Sequence, residues 1–138
     1  MHSVKIKDYM STQVLTFKPE ENIIAALRRL VQKGHSGGPV LDNEGKLVGI
    51  ISEIDCLNEA LMDGYYQEVG DRVADHMSKQ LDFVKQEDDI IRCADYFNKG
   101  RRRLPVLDGD KLVGIITRKD FARALINRID NPYHGNNK

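Results

Sequence analysis

The chain has 138 residues and a mass of 15.7 kDa, with 21 Lys+Arg balanced by 21 Asp+Glu. Hydrophobic residues at 41% and charged residues at 30% are ordinary globular values, which excludes a wholly disordered chain. A zero net charge excludes a broad nucleic-acid surface, which needs a basic excess to displace counterions.

No apolar run approaches the roughly 20 residues of a membrane span, so no membrane partner is expected. The opening Met1-His2-Ser3-Val4-Lys5-Ile6-Lys7 lacks the apolar core of a secretory leader, which predicts a cytoplasmic location.

In chain order, a short amphipathic stretch around Ile6–Met10 leads into a brief strand near Val14–Phe17. A helix follows, with Asn22 as its N-cap and Ile23, Ile24, Leu27, Leu30 and Val31 on one face. Gly34 stands where its C-terminus needs a left-handed residue. Two strands, Pro39–Leu41 and Leu47–Ile51, flank the turn Asp42-Asn43-Glu44-Gly45. A second helix is predicted over about Ile54–Met62, then a linker at 63–72 that its two tyrosines should partly order.

The same order then returns. An amphipathic stretch at Val73–Met77 precedes a strand near Leu81–Val84 and a helix opened by Asp88 or Asp89. That helix carries Ile90, Ile91, Ala94 and Phe97 on one face and ends near Gly100. Strands Pro105–Leu107 and Leu112–Ile116 flank Asp108-Gly109-Asp110, a helix spans about Lys119–Asn127, and 129–138 reads as a frayed tail.

The return is an internal repeat. Pro39-Val40-Leu41-Asp42 and Lys46-Leu47-Val48-Gly49-Ile50-Ile51-Ser52, ending at Asp55, match Pro105-Val106-Leu107-Asp108 and Lys111-Leu112-Val113-Gly114-Ile115-Ile116-Thr117, ending at Asp120. Upstream, Asp8-Tyr9-Met10-Ser11 matches Asp75-His76-Met77-Ser78. A unit of about 60 residues is marginal alone. The expectation is therefore an α+β protein in which two β-α-β-β-α repeats, at 4–62 and 73–128, pack sheet to sheet around one core with pseudo-two-fold symmetry.

The recurring Met-Ser, Pro-Val-Leu-Asp and Lys-Leu-Val-Gly-Ile-Ile-(Ser/Thr)-x-x-Asp pattern resembles the CBS domain (cystathionine beta-synthase domain), present as a tandem pair over about residues 4–128. The resemblance implies a non-enzymatic regulatory module that binds AMP, ADP, ATP or S-adenosylmethionine in clefts between the copies and forms a homodimer. A regulated protein partner is implied without being identified.

The repeated residues suit that chemistry. Ser52 and Thr117 each stand where a strand runs into a helix, and a helix N-terminus with open amides attracts phosphate. Asp55 and Asp120, three residues on, have the carboxylate that a ribose cis-diol needs. The competing reading is a capping box that only starts the helix. Arg101, Arg102, Arg103 and Leu104 precede Pro105, and Arg118 follows Thr117, a set able to hold a phosphate. The first copy has His35, Ser36, Gly37 and Gly38 before Pro39, and Glu53 after Ser52, which would repel an anion.

The second pocket is thus preferred, with Phe83, Arg102, Arg103, Leu104, Pro105, Thr117, Arg118 and Asp120. The first comprises Thr16, Ser36, Gly37, Gly38, Pro39, Ser52 and Asp55, with Thr16 and Phe83 placed by the resemblance. The charge asymmetry agrees, with −3 over residues 1–69 and +3 over 70–138.

Other chemistry is unsupported. His2, His35, His76 and His134 lack metal-ligand spacing, so no metal is expected. Phosphate-binding glycine loops and nucleophile elbows are missing. Cys56 and Cys93 read as buried structural thiols, and Met10 and Met77 as packing residues. The alternative to a ligand sensor is a structural or protein-interaction module with empty pockets. A single-stranded nucleic-acid binder using Arg101–Arg103 is weaker still.

Overall fold

The computed structural model describes residues 3–66 and 71–132. Residues 67–70 of the expected linker and the tail beyond Pro132 lie outside the described residues. Helix and strand are mixed and two small sheets form, as the α+β reading requires. Five helices are described, α1 (Ile23–Lys33), α2 (Glu53–Tyr66), α3 (Val73–His76), α4 (Ala94–Asn98) and α5 (Arg118–Asp130). The strands are β1 (Gly37–Leu41), β2 (Leu47–Ser52), β3 (Val84–Lys85), β4 (Arg103–Asp108) and β5 (Lys111–Thr117).

Contacts divide the chain into two compact units, and the division does not follow the repeat. One unit takes Met1–Val14 with Asp82–Lys138, and the other is Leu15–Leu81. The leading segment of each repeat has therefore been exchanged. Ser11 exchanges backbone hydrogen bonds of 2.9 Å with Ile115 of β5, and Met10 lies where Gly114 leaves room. Ser78 bonds Ile50 of β2 in the same way, and Met77 lies over Gly49. A Cβ on Gly114 would stand 2.7 Å from the Ser11 carbonyl oxygen and one on Gly49 3.1 Å from that of Ser78, so the close approach of each leading segment favours glycine at both positions.

The buried apolar side chains form one cluster per unit, where a single shared core was expected. Phe17, Ile23, Ala26, Leu30, Val40, Ile51, Cys56 and Val73 make one. Val4, Ile6, Val84, Ile90, Cys93, Phe97, Leu104, Val106, Ile116 and Ala124 make the other. Ile6 and Val73 are both fully buried, each in the body of the other repeat. Burial raises the Cys56 thiol to about 11 and the Cys93 thiol to about 12, keeping both protonated and unreactive.

Each β-hairpin is antiparallel, with Pro39 opposite Ile50 and Pro105 opposite Ile115. Both break register after the repeated valine, between Val40 and Leu41 and between Val106 and Leu107. Two expectations need correction. The strand near Val14–Phe17 shrinks to a single parallel bridge, Phe17 to Val40. Its counterpart β3 pairs further because the Gln86 amide donates to Leu107 O at 3.0 Å, while the corresponding Pro19 has no amide to donate. The helix after Asp89 is also divided, opening as a 3-10 turn over Ile90–Cys93 before α4.

The first helix matches its prediction closely. Asn22 accepts from the amides of Ile24 and Ala25, and Gly34 ends α1 at φ 67°. Gly100 is left-handed too, at φ 97°, but it follows a C-cap at Lys99.

Candidate functional site

Each set of expected site residues falls wholly within one compact unit. In the unit of 15–81, β2 runs into α2 through a capping box. The Asp55 amide donates to Ser52 Oγ at 3.2 Å, and the Ser52 amide donates to Asp55 Oδ2 at 3.1 Å. In the other unit the Asp120 amide donates to Thr117 Oγ1 at 3.2 Å and the Thr117 amide to Asp120 Oδ2 at 2.9 Å. The structural reading of Ser/Thr-x-x-Asp is therefore realised in both copies.

The first helical amide is occupied as well. Glu53 donates to Ser36 O at 2.8 Å, and Arg118 donates to Arg102 O at 3.2 Å. These bonds fasten the loop before β1 or β4 to the start of the following helix. They bring Ser36 beside Ser52, and Arg102 beside Thr117. Register adds Gly37 opposite Ser52 and Arg103 opposite Thr117. Thr117, Arg118, Asp120, Arg102 and Arg103 are thus brought to one end of the β4–β5 hairpin.

Two surroundings separate the copies. Asp120 Oδ1 accepts from Arg123 Nη2 at 2.9 Å, and Arg123 lies over the Tyr9 ring at 5.6 Å. Asp55 has no such arginine, and among the described residues its Oδ1 has no partner. The arginine run is also divided. Arg101 is committed to Asp82, with Nη2 to Oδ2 at 2.7 Å, whereas Arg102 and Arg118 are exposed and unpaired among the described residues.

Not every expected residue joins these clusters. Leu104 and Pro105 point into the core, and Leu104 is fully buried. Phe83 lines a cleft of about 340 Å³ with Val84, Asp88, Ile91, Arg92, Asp95, Tyr96 and Lys99, and none of the other second-pocket residues lines it. The carbonyl of Thr16 accepts from Arg29 Nη2 at 2.7 Å, and Arg29 also grips Glu21 and covers the Phe17 ring.

The glycines have a structural cause. A Cβ on Gly38 would meet Leu15 O at 2.7 Å and the Phe17 ring at 2.9 Å, and one on Gly37 would meet Ile51 O at 2.8 Å. Crowding by the chain itself requires these glycines. The second copy solves the same packing with Val84 and Leu104, where the first uses Phe17 and Gly38.

One constellation was missed from sequence. His76 on α3 lies 3.2 Å from Glu59 Oε2 and 2.9 Å from Asp71 Oδ2. A hydrogen bond donated to the Asp71 carboxylate raises the His76 pKa above its usual 6.5, against a lowering by burial, with Glu59 and Asp75 adding to the rise. Glu59 is distant in sequence, so no local spacing signals the group.

The CBS domain family matches the chain twice, at residues 6–61 and 73–127. The chain belongs to the CBS domain family. CBSX2 from Arabidopsis thaliana superposes with a TM-score of 0.81 at 30% identity, covering 94% of this chain and 99% of that one. CBSX2 in complex with AMP gives 0.75 at 31% identity, covering 89% and 96%. An uncharacterized protein of Methanocaldococcus jannaschii is 31% identical over 91% of this chain, and an uncharacterized 17.7 kDa protein of Acidianus ambivalens is 28% identical over 90%. The chain spans 46% of the former's length and 74% of the latter's. Among the described residues, no helix of this CBS pair is long and apolar enough to cross a membrane.

Proposed function

We propose that this CBS pair is a non-enzymatic regulatory module that binds an adenosyl compound, AMP, ADP, ATP or S-adenosylmethionine. The observation that carries the reading is the polar cluster at the β5–α5 junction. Thr117 and Asp120 stand beside Arg102, Arg103 and Arg118, cations without a carboxylate partner among the described residues. The AMP bound to the similar CBSX2 supports this ligand class. Arginine forks at the junction serve a phosphate, and the remaining lone pairs of Asp120 serve a ribose hydroxyl. Glu53 occupies the place of Arg118 in the other copy, which makes the Ser52–Asp55 junction the weaker anion site.

Calorimetric titration with the four compounds tests this. The expected result is binding tighter than about 1 mM for at least one, lost in Thr117→Ala/Asp120→Ala and retained in Ser52→Ala/Asp55→Ala. No binding by any of the four overturns the sensor reading in favour of a structural or protein-interaction module. Loss only in the second double variant moves the site to the first copy.

The reading includes a homodimer in the cytoplasm. Ile54, Leu57 and Leu61 form an exposed apolar stripe at helical spacing on α2, and Ile126 and Ile129 do so on α5. Sedimentation equilibrium should give twice the chain mass, falling to the chain mass in Leu57→Glu/Leu61→Glu. A monomeric wild-type protein removes this part of the reading.

A further inference from the structure

The cluster around His76 has the donors and the spacing of a metal site. Its Nε2 stands 2.9 Å from Asp71 Oδ2 and 3.2 Å from Glu59 Oε2, and the three donor atoms all lie within 4.8 Å of one another. Ligand atoms at about 2.0–2.1 Å around a tetrahedral cation are separated by roughly 3.3 Å. The two separations from His76 Nε2 are close to that edge. One imidazole nitrogen with two carboxylate oxygens is a borderline donor set, suited to zinc and its first-row neighbours more than to calcium or magnesium.

The three side chains are held in place from different directions. Glu59 projects from α2 and its side chain is only 14% exposed. Asp71 is anchored by its carbonyl, which accepts from the Ile23 amide at 2.8 Å. His76 ends α3, whose start is fixed by the Asp75 carboxylate on the Arg72 amide at 3.0 Å. Asp71, half exposed at 52%, leaves a route for an ion and for water in the remaining coordination position.

We propose that Glu59, Asp71 and His76 bind one divalent transition-metal ion, of the zinc class. The ion ties α2 to the segment that delivers Met77 and Ser78 to β2. It thereby clamps the exchanged leading segment onto the unit of 15–81. This site is independent of the adenosyl reading, since it shares no residue with either junction.

The test uses the full chain, stripped with chelator and titrated with ZnCl2 by calorimetry and with Co2+ by visible absorption. The expected result is one equivalent of Zn2+ bound more tightly than about 100 µM. Cobalt should give d–d bands displaced by zinc. Glu59→Gln and His76→Ala should each weaken binding by at least about tenfold. A His2→Ala/His35→Ala/His134→Ala variant should bind as wild type.

Glu59→Gln preserves shape, so it carries the test if His76→Ala fails to fold. Zinc should raise the Tm of wild type and leave that of Glu59→Gln unchanged. No binding at 100 µM, affinity unaffected by Glu59→Gln and His76→Ala, or loss of binding in the triple variant overturns the proposal. The cluster would then be an ion pair only.

Discussion

The two compact units carry the same strand–helix junction in unlike electrostatic settings. Counted by unit, residues 1–14 with 82–138 hold 14 Lys+Arg and 10 Asp+Glu, while 15–81 hold 7 and 11. The balanced chain is therefore the sum of a +4 unit and a −4 unit. Counting by repeat gives only +3 and −3. The exchange of leading segments sharpens the asymmetry, because it moves Lys5 and Lys7 to the basic unit and Asp71 and Asp75 to the acidic one.

A shared backbone device leaves its chemistry open. Both junctions cap a helix with the same reciprocal hydrogen bonds. What differs is the company each keeps. Arg118 and Arg123 flank Asp120, whereas Glu53 flanks Asp55. The arginine-flanked junction is therefore the one proposed for an anion, while the candidate cation site lies in the acidic unit.

The largest effects are expected at the exchanged segments. Ile6→Ala removes a fully buried side chain and should cost about 2–5 kcal/mol. Hydrogen exchange should show the loss of protection in residues 82–130. Val73→Ala should do the reverse, loosening residues 15–66. Loss in 15–66 on Ile6→Ala would mean that each repeat folds on its own leading segment.

Next in size is the packing exchange between Gly38 with Phe17 and Leu104 with Val84. Gly38→Ala places a methyl 2.9 Å from the Phe17 ring and should cost about 1–3 kcal/mol. Adding Phe17→Leu should recover part of it in a double-mutant cycle measured by urea unfolding. Strict additivity would show that the ring is not what crowds the site, leaving the Leu15 carbonyl.

Capping comes third. Thr117→Ala and Ser52→Ala should each lower stability by about 1 kcal/mol. Equal losses would fit boxes of equal geometry. A much larger loss on one side would show that its hydroxyl does more than cap.

The smallest effect is the pH dependence contributed by Glu87 in the basic unit. Hydrogen bonds from Lys5 and Lys7 hold the Glu87 carboxyl at about 2, below its ordinary 4.5. A depressed carboxylate contributes stability above its unfolded pKa, and that contribution fades as pH falls from about 4.5 toward 2. The group is exposed, so the change should be slight and screened by salt. Glu87→Gln should flatten the Tm profile across that window. An unchanged profile would show that the pairs contribute nothing.

The repeat, the two hairpins, the capped first helix and the Ser/Thr-x-x-Asp junctions were legible in the sequence because each rests on local spacing. Turn residues and caps act within four residues, and apolar periodicity marks which face is buried. The likeness of Lys-Leu-Val-Gly-Ile-Ile in both copies was enough to expect the fold. Where local rules met a competing one, they failed in explicable ways. Pro19 cut a strand to a bridge, and the helix after Asp89 opened as a 3-10 turn.

Only the tertiary structure decided which leading segment packs on which body. Identical motifs offer identical local energies, so sequence cannot choose between Met10 over Gly49 and Met10 over Gly114. Long-range contacts made that choice. They also crowded Gly38 with the Phe17 ring and gathered Glu59, Asp71 and His76. Those residues come from elements whose proximity depends on the path of the whole chain.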